Sequence, residues 1–131
     1  MKGRKPVPIH VLAGGDTFGL FYMVTRYMQW CGELPSSVVM AIGYENEQEA
    51  LDNDQRQYDL TPSDSKYINW EGKHKPESVG GGPEFREFLT KTLKPLIEER
   101  YEVDSSNSVL YGHSLGDLFA LNTMIETPLC I

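Results

Sequence analysis

The run Ser108-Val109-Leu110-Tyr111-Gly112-His113-Ser114-Leu115-Gly116 joins an apolar, strand-like segment to a G-x-S-x-G pattern. Leu118, Phe119, Leu121 and Ile125 follow at helical spacing. A strand that turns abruptly into a helix with serine at the apex is the nucleophile elbow of a serine hydrolase, and the residue types have physical reasons. The serine sits in a strained conformation, and the flanking glycines remove side chains that would collide at the turn. The Leu115 N–H and the helix N-terminus behind it point to where a tetrahedral intermediate would develop negative charge. An ester carbonyl is the natural electrophile for such a site. The bland alternative is a chance G-x-S-x-G in a surface loop; a strand before it and a helix after it argue against that.

Working outward, Pro8 to Ala13 is an apolar run that ends at Gly14-Gly15, and Asp16-Thr17 opens a helix carrying Phe18, Phe21, Tyr22, Met28 and Trp30. Ser37 to Ile42 is continuously apolar from Val38 and predicts a strand buried on both faces, ended by Gly43. From Tyr44 to Gly82 the chain is polar and turn-rich and reads as one long loop, of the kind that is functional or mobile. Pro83 starts a helix whose buried face is Phe85, Phe88, Leu89, Leu93, Leu96 and Ile97, with a kink expected at Pro95. Ser108 to Tyr111 is the third strand. Strands alternating with helices define an α/β protein with a parallel sheet, right-handed crossovers and ligands at the carboxyl ends of the strands.

With 131 residues, 40% of them hydrophobic and 24% charged, the chain has room for one modest domain. A formal net charge of −7 and a pI near 4.9, with no Lys/Arg stripe, exclude a protein that tracks nucleic-acid phosphates. Lys2-Gly3-Arg4-Lys5 is a short solvated tail. Cys31, assigned to a helix, and Cys130 supply neither a disulfide framework nor a metal spacing. The N-terminus lacks an apolar signal region, and no run approaches the ~20 apolar residues that span a bilayer, so the expectation is a soluble, cytoplasmic chain without membrane association. Glu45, Glu47, Glu49, Asp52 and Asp54 are dense but lack the central glycine of a calcium loop and read as a solvated face. Gly80-Gly81-Gly82 has no Lys-Ser/Thr after it and reads as a hinge before Pro83, not a phosphate cradle. No metal and no cofactor are expected.

Four ordered motifs go beyond a generic hydrolase: Ala41-Ile42-Gly43-Tyr44, Arg56-Gln57-Tyr58-Asp59-Leu60-Thr61-Pro62-Ser63, Gly80-Gly81-Gly82-Pro83-Glu84-Phe85 and Tyr111-Gly112-His113-Ser114-Leu115-Gly116. Together they resemble the "Putative esterase" family of α/β-hydrolases, which includes enterobactin and salmochelin esterases and esterase D-like carboxylesterases. The likeness runs from about Pro6 to Thr127, with Pro8 to Asp16 similar to the family's early strand and L-D-G turn. It implies Ser114 as nucleophile, the Leu115 amide as one oxyanion donor and Gly15 at the place of the second. It also implies Arg56 as a substrate-binding residue; a salt bridge to Asp59 or another loop carboxylate is the structural alternative. Gly14 stands where the family has aspartate, and Asp117 where it commonly has a second glycine. A carboxylate in the first helical turn suits the dipole but would repel charge developing at the oxyanion site.

The likeness is to the middle of the family's domain. A strand hairpin before the position of Pro8, and the later strands that carry the triad acid and histidine, have no counterpart here. The expectation is therefore a single partial α/β-hydrolase domain over residues 1–131: three parallel strands, flanking helices and a long polar loop. A serine hydroxyl needs a base within hydrogen-bond reach. His113 should leave the elbow on another side, His10 reads as packed inside the first strand, and His74 sits in the long loop. Three functions follow: a serine esterase cleaving small-molecule esters through an acyl-enzyme, an incomplete and weakly active or inactive form of it, or a non-catalytic module that forms homo-oligomers through exposed sheet edges.

Overall fold

The structure, a computed structural model, describes residues 3–12, 15–44, 54–62 and 79–128. Its centre is a parallel sheet of β1 (Val7–Val11), β2 (Ser37–Ala41) and β3 (Val109–Tyr111) in the order β2-β1-β3. Ile9 lies in register between Val39 and Val109, and Val11 between Ala41 and Tyr111. The helices are α1 (Gly15–Trp30), α2 (Asp54–Leu60), α3 (Gly82–Phe88), α4 (Lys94–Arg100) and α5 (Leu115–Glu126), with a π-helical stretch over Leu89–Leu93 joining α3 to α4.

Adjacent residues of a strand point to opposite faces, so β3 shows which helices share a side. The Tyr111 ring packs on Phe21 of α1 at 4.7 Å between centroids. Leu110 instead joins the core of Leu12, Leu60, Phe85, Leu89 and Phe119, which α2, α3 and α5 build together. Phe85 and Phe119 meet there at 5.2 Å. Helix α1 thus covers the face that carries Tyr111. Its outer side leaves Leu20, Met23, Tyr27 and Trp30 in solvent.

Four expectations require correction. The continuously apolar Ser37 to Ile42 segment is not buried on both faces: β2 is half-buried throughout, because β1 takes the middle of the sheet and leaves β2 with one strand neighbour among the described residues. The buried strand is β1, where Ile9, His10 and Val11 are all enclosed. The stretch from Tyr44 to Gly82 is not wholly loop, since α2 lies within it. That helix has seven residues, with Gln57 and Leu60 buried, too few apolar positions to produce a helical period in the sequence.

The third correction concerns the triple glycine, which is a clasp and not a hinge. Gly80 N–H donates to Thr61 Oγ1 at 2.7 Å, Gly81 N–H to the Tyr58 carbonyl at 2.8 Å, and Gly82 N–H to the Thr61 carbonyl at 2.8 Å. A Cβ on Gly82 would stand 2.6 Å from that carbonyl oxygen, so the two segments meet this closely only with glycine there. Thr61, 1% exposed, completes the clasp by donating to the Gln57 carbonyl. The kink expected at Pro95 takes the form of the π stretch. Lys94 N–H bonds back to Leu89 O, a five-residue step, just where the proline ring would crowd the carbonyl four residues earlier. Cys31 lies in the turn just beyond α1 and is exposed, not helical.

Candidate active site

β3 ends at Tyr111, and within four residues the chain has reversed into α5. Ser114 makes the turn at φ 57°, ψ −118°, the one non-glycine positive φ among the described residues. Such a conformation costs of order 1–3 kcal/mol and persists only where the surroundings over-determine it. Here they do. The Ser114 carbonyl accepts from the N–H groups of Asp117 at 3.0 Å and Leu118 at 3.2 Å, and the His113 carbonyl accepts from Gly116 N–H at 3.0 Å.

Contact requires glycine at position 112. A Cβ on Gly112 would fall into the Gly116 carbonyl and stand 2.5 Å from the Asp117 nitrogen. At Gly116, a Cβ would meet the Leu12 side chain and carbonyl at 3.3 Å, which shows how tightly α5 sits on the end of β1. The Ser114 side chain is exposed and makes no capping bond to its own helix. Leu115 N–H, first in α5, belongs to the amides that have no intrahelical acceptor. Asp117 is exposed in the first turn of the same helix.

Gly15 is the first residue of α1, reached from Leu12 through residues outside those described. The structure thus sets the N-termini of α1 and α5 after the carboxyl ends of two neighbouring strands, β1 and β3. Arg56 is half-buried on α2 and not in a loop, and its charge is felt at Tyr44. Tyr44 Oη donates to Asp59 Oδ2 at 3.0 Å, and Gln55 Nε2 donates to Asp59 Oδ1 at 2.8 Å. Burial pushes the Asp59 carboxyl above its ordinary range, against the pull of these two bonds. Burial first, and then the Asp59 charge, drive the Tyr44 hydroxyl well above its usual value, while Arg56 works the other way. The sequence placed both residues in motifs but offered no sign of their pairing, since fifteen positions separate them.

His10 is packed as expected, 4% exposed, and burial with the nearby Lys94 charge lowers its pKa. His113 is exposed beside Ser114. Neither histidine hydrogen-bonds Ser114 among the described residues, and His74 lies outside them. Of the acidic run from Glu45 only Asp54 is described; no group of three metal-ligating side chains occurs among the described residues, and no helix there is long and apolar enough to cross a membrane.

A parallel sheet whose strand turns through a strained serine into a helix is the arrangement of an α/β-hydrolase. The model of the family described as "Putative esterase" matches residues 2–129, and the chain belongs to that family. It is 38% identical over 97 residues to the siderophore enterobactin esterase of Emericella nidulans, covering 70% of this chain and 32% of that one. With the ferri-bacillibactin esterase BesA of Bacillus subtilis it shares 30% identity over 125 residues, 92% of this chain and 43% of that one. Among solved structures, the siderophore hydrolase EstA from Aspergillus nidulans superposes with a TM-score of 0.79 at 30% identity, covering 97% of this chain and 44% of that one. The chain thus spans less than half the length of these relatives.

Proposed function

We propose that the chain carries the nucleophile of a serine ester hydrolase acting on small-molecule esters of the siderophore type. The observation that carries this reading is the backbone of Ser114, held at positive φ on a strand-to-helix turn in a chain whose relatives are siderophore esterases. Ser114 Oγ would attack the ester carbonyl and expel the alcohol. The oxyanion would be met by Leu115 N–H and by the backbone around Gly15, and water would release the acyl group from Ser114. Arg56 is assigned to the acyl or carboxylate part of the substrate.

Attack requires a base to take the hydroxyl proton. His10 is enclosed in β1 and serves packing, and His113 makes no hydrogen bond to Ser114, which leaves His74 or a group from outside this chain to act as base. The chain alone is therefore expected to turn over weakly or not at all. Hydrolysis of a short-chain p-nitrophenyl ester by the purified chain, beside Ser114→Ala, tests this. Turnover abolished in the variant establishes Ser114 as a working nucleophile. Equal background rates in both, persisting when a full-length relative's missing portion is supplied, would defeat the hydrolase reading.

A second reading is a module that self-associates through its sheet edges, favoured by the apolar side chains that stand in solvent on α1 and α5.

A further inference from the structure

Helix α2 has seven residues, too short to hold its own shape in water, so its rotation is set by what grips it. Two grips act on different sides. Leu60, 1% exposed, enters the core that also holds Leu12, just past the end of β1, and Phe119 of α5. Asp59 turns instead to Tyr44, just beyond the carboxyl end of β2, and accepts its hydroxyl at 3.0 Å. Gln55, one turn earlier on the helix, donates to the other carboxylate oxygen at 2.8 Å and leaves the Asp59 side chain a single orientation.

Successive residues of an α-helix turn by about 100° around its axis, so Arg56 projects about 40° from Leu60 and about 60° from Asp59, between the two grips. Its half-burial agrees with that placement, and so does the reach of its charge to Tyr44. The guanidinium therefore lies on the side of α2 that faces the carboxyl ends of β1 and β2. The elbow is close to this side. A Cβ on Gly116 would meet Leu12 at 3.3 Å, so Leu12 stands between the elbow and the core that anchors α2.

We propose that Tyr44 and Asp59 are positioning residues for ester binding: by fixing the rotation of α2 they aim Arg56 at the carboxyl edge of the sheet, where it meets an anionic group on the acyl part of the substrate. The proposal rests on the hydrolase reading above and on the role assigned there to Arg56. Leu60, the glycine clasp and the Tyr58 bond to Glu84 join α2 to the core and to α3, whereas the Tyr44 bond joins it to the end of β2. When that bond is lost the helix stays docked but can roll about its axis, and a roll carries Arg56 away from the sheet edge.

Titration with benzoate, followed at the Arg56 side-chain N–H signal by NMR, tests this, with neutral benzamide as the control. The parent chain should bind benzoate more tightly than benzamide, and Arg56→Gln should remove the preference. Tyr44→Phe and Asp59→Ala should each weaken benzoate about 10-fold, the worth of one hydrogen bond to a charged group, and leave benzamide unchanged. General loosening of the fold would weaken both ligands alike. Asp59→Asn should keep most of the preference, since its amide oxygen still accepts from Tyr44 once the Gln55 amide turns over. A preference untouched by Tyr44→Phe, or lost equally in Asp59→Asn and Asp59→Ala, overturns the proposal. Should Asp59→Ala fail to fold, Tyr44→Phe against Asp59→Asn decides. A parent chain that hydrolyses esters but does not distinguish benzoate from benzamide overturns the proposal and spares the hydrolase reading. Benzoate binding needs neither base nor turnover, so an inert chain that still shows this pattern counts against the hydrolase reading alone.

Discussion

Tyr44 Oη donates a 3.0 Å hydrogen bond to Asp59 Oδ2, tying the chain just beyond β2 to the last turn of α2. Gln55 holds the other carboxylate oxygen, so the two bonds fix both ends of a side chain whose burial disfavours its charge. Tyr44→Phe removes one of the two donors. The Asp59 carboxyl should then rise further above its ordinary pKa, read by carbon NMR titration of its side chain. A partly exposed pair of this kind costs about 1 kcal/mol of stability when broken, measurable by urea unfolding. An Asp59 titration that stays put would show that the bond does not form in solution.

His10 makes stability depend on pH in a definite direction. Its folded pKa lies below the ordinary 6.5 because burial, and then the Lys94 charge, disfavour the imidazolium. As pH falls through 6.5 the unfolded chain takes up a proton that the folded chain refuses, so stability drops from there downward and is complete above it. His10→Leu should flatten the urea midpoint between neutral pH and about 5.5, the range just below the ordinary histidine pKa. A midpoint equally pH-dependent in both proteins would assign the effect to other groups.

Ser114 occupies a backbone conformation that glycine adopts freely. Ser114→Gly is therefore expected to stabilise the fold by about 1 kcal/mol, the released strain less glycine's greater entropy loss. It would also abolish any esterase activity. The thermal midpoint of the variant against the parent measures the gain, and a loss of stability would mean the turn is unstrained with serine in it.

The Thr61 hydroxyl both donates to Gln57 O and accepts from Gly80 N–H inside a buried clasp. Thr61→Val keeps the shape but leaves the buried Gly80 N–H without its acceptor, at a cost of about 1–3 kcal/mol. Thr61→Ser retains the hydroxyl and should recover most of that in the same denaturation assay. If the two variants were equally destabilised, packing of the methyl group and not the hydrogen bonds would hold the clasp.

The elbow was legible because its requirements are local. Gly112 meets a constraint set within six consecutive residues, so glycine must stand there in a chain that makes this turn, whereas Gly116 answers to Leu12 at the end of β1 and Ser114 bears the positive φ. The same holds for the three strand segments and for Pro83 opening α3, where short-range period and backbone chemistry suffice. Helix α2 was invisible for the opposite reason: Leu60 docking in the core and Asp59 reaching Tyr44 stabilise it, and neither contact leaves a period in the sequence. Gly80-Gly81-Gly82 carried the right signal and the wrong meaning, because glycine serves a hinge and a close approach equally, and only the position of Thr61 tells them apart.

From the sequence alone came the shape of the turn, the α/β class and the family, all of which depend on which residues are neighbours along the chain. The middle place of β1 in the sheet and the packing of α1 on the face opposite α2, α3 and α5 belong to the tertiary structure. They depend on which segments meet across long separations, a competition among packings that no local pattern records.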